Sequence, residues 1–403
     1  MDETTRQVRE MYEQFPYPSG NPVSRVGNDV ELALGYQGRD PGRRGPRQVL
    51  DAGCGRGIGI IGAAVLQPEV RFLGADLNRV ALTEAAEAVA QRGLSNVRFC
   101  ETDLMTLDGL EVPEGGFDVI HSSGVVHHLS DPAAGLTRLR EVLAPHGVIN
   151  FMVYARHGRR PLMNVAEAAR ILAPDDRPLS ARILPARTVA ALASHHVLQG
   201  TSFAGTYEVD DVELVDRLLN VNETSYDVPA LWRLLDAAGL RFLRWTEPAD
   251  WTPSNLMPTG HLQAWLDELP EVDRYRFIEL VFRRPKLELL ACRADNGPRA
   301  PLAADGIEAA RFAVNPELVI TTGVRLTPAG QRTEALSFVL RTRDPVELGR
   351  GPLATVLLAL RDRVGASDGR TLLRDIRKLG LDENDARAAI LELERQEILY
   401  RPY

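Results

Sequence analysis

The stretch VLDAGCGRG, residues 49 to 57, runs an apolar segment directly into closely spaced glycines. Gly53 and Gly55 carry no side chain and can take positive φ values, so a ligand can approach the main chain and the start of a following helix. The bland alternative is a tight strand-to-helix turn. Asp51, just ahead, places a carboxylate at the loop, which suits a ligand that brings positive charge and not a pyrophosphate. Further on, Asp76 ends FLGADL, and Asp103 ends CETDL with Leu104 beside it, where an N-cap is the alternative role. The block FDVIHSSGVVHH brings His121, His127 and His128. Histidine titrates near neutrality, so His128 is a candidate general base in contact with an acceptor. Neighbouring histidines on one element should point in different directions and lack the i, i+4 spacing of a helical ligand pair, so no metal site is expected.

GIGIIG, residues 57 to 62, literally matches GxGxxG, with Asp76 following about 20 residues on, as in a dinucleotide-binding fingerprint. The first glycine of that fingerprint should close the turn straight after the strand. Gly53 holds that place instead, and read from Gly53 the third glycine position falls on Ile58.

The elements that position these residues alternate as β/α. QVLDAG, VRFLGADL, VRFCETDL, FDVIHSS and GVINFMVYA read as strands, separated by the helical GIIGAAVLQ, RVALTEAAEAVAQRG and PAAGLTRLREVL. Such alternation predicts an α/β fold with a largely parallel sheet covered on both faces. After Tyr154 the pattern lapses into basic, proline-interrupted helical pieces, then resumes at VPALWRLLDAAG, LRFLRW, a helix near 270 to 283, and KLELLACR. Residues 155 to 227 therefore read as a helical insertion, an acceptor lid, within a domain spanning 48 to 293. Ahead of the domain, Val8, Met11, Tyr12 and Phe15 define a helix over residues 4 to 15, stopped by Pro16 and Pro18 and followed by loop to residue 47. This leader, 1 to 47, reads as an aromatic flap over the ligand crevice. Residues 294 to 305 read as a linker, and 306 to 403 as an accessory domain of strands and three helices, winged-helix-like in order.

VLDAGCGRG, FLGADL, CETDL and FDVIHSSGVVHHLSDP, in that order, resemble the successive motifs of class I S-adenosylmethionine-dependent methyltransferases. The leader MYEQFPYPSG is similar to the FPYP-type segment of bacterial multidomain members with a C-terminal accessory region. The resemblance implies a Rossmann-like, doubly wound seven-stranded sheet and S-adenosyl-L-methionine as cofactor. It further implies that Asp51, Gly53, Cys54 and Gly55 hold the methionine portion, and that Asp76, with Leu77, chelates the ribose hydroxyls. Asp103, with Thr102 and Leu104, would receive the adenine, while Ser122, Tyr12 and Tyr17 complete the cofactor site. His121, His128 and Tyr154 fall where methyl transfer takes place.

The acceptor is less determined. Arg156, Arg159 and Arg160 cluster at the start of the insertion and can grip a carboxylate or phosphate, or form a solvated basic loop. A natural-product or amino-acid-derived small molecule attacked at N or O is the first expectation, and a protein or peptide side chain the second. A cofactor-binding regulatory protein without turnover is the alternative of another class. The formal charge of −8 argues against a polyanionic partner, and basic and acidic side chains balance within residues 353 to 403, which favours dimerisation or regulation over nucleic-acid binding. Cys54, Cys100 and Cys292 are scattered, no apolar run approaches the ~20 residues of a membrane span, and a cytoplasmic enzyme is expected.

Overall fold

The computed structural model describes the chain except residues 18–28, 40–44, 253–259, 298, 317, 329, 340–345, 349–350, 361–364 and 403. It divides into two compact units, one of residues 1–25 and 44–296, the other of residues 26–43 and 297–403.

The first unit is built on a seven-stranded sheet. Strands β1 (Gln48–Ala52), β2 (Arg71–Asp76), β3 (Val97–Glu101), β4 (Phe117–Ser123), β5 (Leu143–Tyr154), β6 (Leu240–Trp245) and β7 (Lys286–Arg293) lie in the order β3-β2-β1-β4-β5-β7-β6. The first five run parallel and β7 runs antiparallel to both its neighbours. Val49, Leu50 and Ala52 of β1 are buried, as a central strand covered on both faces must be. Strand order reverses between β1 and β4, and a ligand crevice opens beyond the carboxyl ends of the strands at such a switch point. Asp51 lies opposite His121 across that junction and opposite Gly74 on the other side.

Leader helix α1 (Glu3–Gln14) forms where its apolar stripe predicts, capped by Asp2. The loop expected up to residue 47 contains a further helix, α2 (Val30–Gln37), started by Asp29 and stopped by Gly38 in the left-handed region. This helix belongs to the second unit, so the leader is not one structural piece. In the first unit, α3 (Ile58–Leu66), α4 (Arg79–Gln91) and α5 (Pro132–Val142) cover the sheet. The insertion folds as α6 (Arg156–Leu172), α7 (Leu179–Ser194) and α8 (Asp211–Leu218). Pro161 and Pro185 were expected to interrupt these helices, yet both helices run through them. Each proline removes one main-chain hydrogen bond, and the shared burial of Leu162, Val165, Ala169, Ala186 and Ala190 outweighs that loss. A bridge between Ala155 and Tyr226 closes the neck of the insertion. Helices α9 (Val228–Ala237), α10 (Gly260–Asp267) and α11 (Glu271–Phe282) complete the unit.

The expected linker at 294 to 305 is shorter than its composition implied. Asn296 is buried and its amide donates to the Pro145 carbonyl, so residues up to 296 belong to the first unit. Residues Ala304–Ala309 already form a 3-10 turn that buries Ile307 in the second core.

In the second unit a small sheet orders β12 (Ser367–Asp368), β8 (Arg311–Val314) and β13 (Leu399–Tyr400), beside an antiparallel sheet of β9 (Val319–Thr327), β10 (Gly330–Val339) and β11 (Val346–Leu348). Helices α12 (Pro352–Leu360), α13 (Gly369–Lys378) and α14 (Glu383–Arg395) bury Leu357, Leu372, Ile376, Ile390 and Leu393 against Phe312.

Candidate functional site

The loop after β1 depends on its glycines. Gly53, Gly55 and Gly57 all take positive φ, at 83°, 52° and 74°. A Cβ on Gly53 would also stand 2.3 Å from Val125 Cγ2, so the position is closed to any other residue on two grounds. The amides of Gly53 and Cys54 both donate to the Ala75 carbonyl, at 2.7 and 3.1 Å, which pins the loop to the end of β2. Gly59 and Gly62 lie within α3, so GIGIIG is not the phosphate loop of a dinucleotide site.

Asp76 is gripped by the main chain: the Gly55 amide donates to Oδ2 at 2.7 Å and the Asn78 amide to Oδ1 at 2.8 Å. Burial raises its pKa, and the amides of Asn78, Gly55 and Leu77 work against that rise. Asp51 has no such donors. Burial first, and then the charge of Asp76, pushes it up to about 7. Neither carboxylate forms an ion pair among the described residues, and both retain exposed surface although protein surrounds them closely. They stand close enough for the charge of Asp76 to act on Asp51, with no cation paired to either among the described residues. His121, beside Asp51, is neutral, because burial lowers its pKa to about 4, and its Nε2 has no partner.

Around the end of β3, Asp103 Oδ1 accepts from the Met105 amide at 2.9 Å, so the carboxylate does cap the local turn, and it keeps exposed surface. Thr102 is buried, with its amide on the Asp76 carbonyl and its hydroxyl on that of Asp108. Leu104 and Cys54 are buried, and Leu77 is half-buried beside Asp76. Ser122 is fully buried and its hydroxyl donates to the Ala52 carbonyl at 3.0 Å, so it ties β4 to β1 and offers no free donor to a ligand.

Beyond β4 a short 3-10 turn, Val126–His128, sets His127 and His128 side by side with ring centroids 4.2 Å apart, not diverging as their adjacency implied. His127 lies on the Tyr154 ring at 4.0 Å, fully buried, with neither ring nitrogen hydrogen-bonded, and burial keeps it neutral. His128 Nδ1 lies 2.7 Å from the Asn222 carbonyl. A carbonyl only accepts, so Nδ1 bears the hydrogen and Nε2 the free lone pair. Among the described residues no cluster of metal-ligating side chains forms.

Residues invisible to motif reading complete the site. Asp216 of α8, buried, accepts from the Tyr12 hydroxyl at 2.9 Å and the Tyr154 hydroxyl at 3.2 Å, while the Asn220 amide donates to Tyr12 at 3.1 Å. Burial, reinforced by Asp216, holds both phenols well above their usual pKa. Tyr17 lies near enough to Tyr154 to add to that effect. The expected arginine grip is not available: Arg156 pairs with Asp227 at 2.7 Å, and Arg159, buried, pairs with Glu223 at 3.0 Å and stacks on Tyr154. Arg156 and Arg160 are exposed, and of the three only Arg160 has no ion pair among the described residues.

Residues 46–171, which contain the glycine loop and both carboxylates, match a methyltransferase-domain family model. These residues carry a methyltransferase domain, and the chain is an S-adenosylmethionine-dependent methyltransferase. S-adenosylmethionine is its cofactor. The methyltransferase is 28% identical over 293 residues to the uncharacterized protein syc1184_c of Synechococcus, covering 70% of this chain and 69% of the relative. It is 30% identical over 105 residues to the uncharacterized methyltransferase C1B3.06c of Schizosaccharomyces pombe, covering 25% of this chain and 38% of that one. PKMT2 from Rickettsia typhi in complex with AdoHcy shares the fold, with a TM-score of 0.64 at 18% identity over 96% of this chain and 77% of that one. Among the described residues no helix is long and apolar enough to cross a membrane.

Proposed function

We propose that the methyltransferase acts on an amine nitrogen of a small molecule. The observation that carries this reading is Asp216, a buried carboxylate facing no cation among the described residues, with two phenols donating to it. Phenols so polarised are strong acceptors for N–H groups. Arg159 and Glu223 neutralise each other, so Arg159 brings no free charge to attract an anionic acceptor.

S-adenosylmethionine supplies a methyl group on a positively charged sulfur. Asp51 would meet the positive charge of the methionine portion, Asp76 would accept from the ribose hydroxyls, and Asp103 would accept from the adenine amino group. Gly53 and Gly55 let the ligand reach the main chain. His128 Nε2 takes the proton that the amine must shed, and Tyr12 and Tyr154 orient the nitrogen and exclude water. Alignment and desolvation carry most of the rate, as nucleophilic displacement needs no covalent help from the protein. A lysine side chain is also an amine, so a peptide acceptor is the second reading.

The test is incubation with labelled S-adenosylmethionine, a panel of small amines and alcohols, and cell extract, followed by mass spectrometry. Label on a small amine, lost in Asp216→Asn, is expected. Label confined to hydroxyl groups would overturn the amine reading, and label confined to protein would favour the second.

A further inference from the structure

The leader joins the two ends of the site through one residue. The main-chain oxygen of Tyr12 accepts from the Asn78 side-chain amide at 2.6 Å. Asn78 is buried, its Oδ1 caps α4, and its own amide donates to Asp76. At its other end Tyr12 donates to Asp216 and accepts from Asn220. Asn220 Oδ1 accepts from the amide of Asn222, whose carbonyl holds His128 Nδ1. Polar groups are thus hydrogen-bonded in sequence from the carboxylate at the end of β2 to the histidine beyond β4, by way of α1.

We infer that Tyr12 is a positioning residue that couples occupancy of the Asp76 turn to the order of the acceptor lid. The inference rests on the reading that Asp76 holds the cofactor. Asn78, Asp216 and Asn220 are each at least nine-tenths buried, so detaching Tyr12 leaves several buried polar groups without partners at once. Such a set makes or breaks together, which gives α1 a docked and an undocked state. A ligand that steadies the Asp76–Asn78 turn favours the docked state, and docking in turn fixes Asp216 and, through Asn220 and Asn222, His128. By linkage the effect is reciprocal: loosening Asp216 must weaken binding at the Asp76 turn. Neither Asn78 nor Asp216 belongs to a motif of the glycine loop, and Tyr12 and Asp216 are 204 positions apart.

The experiment is calorimetric titration of the full chain with S-adenosylhomocysteine, for the wild type, Tyr12→Phe, Asp216→Asn and the double variant. Each single variant should bind about threefold more weakly or worse, the loss of one or two net hydrogen bonds, and the double variant no more weakly than the worse single. Losses that multiply, or an Asp216→Asn that binds like the wild type, would overturn the coupling. Hydrogen exchange reads the same link without mutating the lid. S-adenosylhomocysteine should slow amide exchange in α8 of the wild type and leave α8 of Tyr12→Phe unchanged. Equal protection of α8 in both proteins sinks the inference while leaving the cofactor site intact. A wild type that does not bind S-adenosylhomocysteine at all overturns the cofactor reading and the coupling with it.

Discussion

Two carboxylates stand near each other in the glycine-loop region, and only Asp76 has main-chain donors to hold its charge. Asp51 is pushed up to about 7, whereas in an unfolded chain it ionises near 3.8. Its contribution to stability is therefore full below about pH 4 and is lost as pH rises through about 7. A cationic ligand favours the ionised form, so binding releases a proton near neutrality. The affinity for S-adenosylmethionine should rise between about pH 6 and pH 8, and Asp51→Asn should flatten the profile. Without ligand, Asp51→Asn should melt at a higher temperature than the wild type at about pH 8, and the gap should narrow at about pH 5. A flat wild-type binding profile would remove Asp51 from the site. Asp76→Ala should weaken S-adenosylhomocysteine binding at least about tenfold, because two charge-assisted hydrogen bonds of ~1.5–3 kcal/mol each are at stake. Calorimetry showing unchanged affinity would place the ribose elsewhere.

At the scale of elements, α1 is both a clasp on the site and a part of the insertion's core. Met11 is 3% exposed and packs with Leu162, Val165 and Leu214. Met11→Ala should accordingly lower the unfolding free energy by about 2–4 kcal/mol in a denaturant titration. Removing residues 1–18 takes away that packing together with the Arg9–Glu101 pair, the Asp2–Ser130 hydrogen bond and the Tyr12 contacts. Such a protein should bind S-adenosylhomocysteine at least about tenfold more weakly, and affinity equal to that of the intact chain would deny the leader any part in the site. The sheet and its strand ends were legible because buried parallel strands read as apolar runs that stop at glycines and acids. The leader helix was legible from one apolar stripe. Helix α2 was not, since eight residues with Gly, Pro and Arg on both sides carry too little periodicity to register. Asp216 was illegible for a different reason. Its partners lie far along the chain, and pairing at such separation leaves no local pattern. The arginines of the insertion misled because their spacing was visible and their acidic partners, Glu223 and Asp227, sit at the insertion's far end.

For the molecule as a whole, the chain visits the second unit twice. It leaves α1, contributes α2 to that unit, enters β1, and returns only after Asn296. Val30 and Leu34 of α2 are fully buried, and a Cβ at Gly35 would stand 2.8 Å from the Tyr400 ring. The Arg299 guanidinium donates to the carbonyls of Gly35, Arg401 and Pro402, and burial lowers its pKa to about 10. The composition of 294 to 305 implies that a chain ending near residue 300 retains a complete catalytic fold, and α2 argues otherwise. Such a chain keeps α2 but loses Tyr400 and the core around Phe312, which leaves an apolar helix without cover between the leader and β1. It should aggregate or bind a hydrophobic dye such as ANS. Replacing residues 26–43 by a flexible glycine-serine linker in the same shortened chain removes that liability. The first unit has its own core, so the repaired chain should be monodisperse and bind S-adenosylhomocysteine within about threefold of the full-length protein. If the shortened chain is well behaved with α2 in place, the helix does not depend on the second unit for its cover. If the repaired chain still fails to fold, the second unit supports the catalytic sheet by more than its hold on α2.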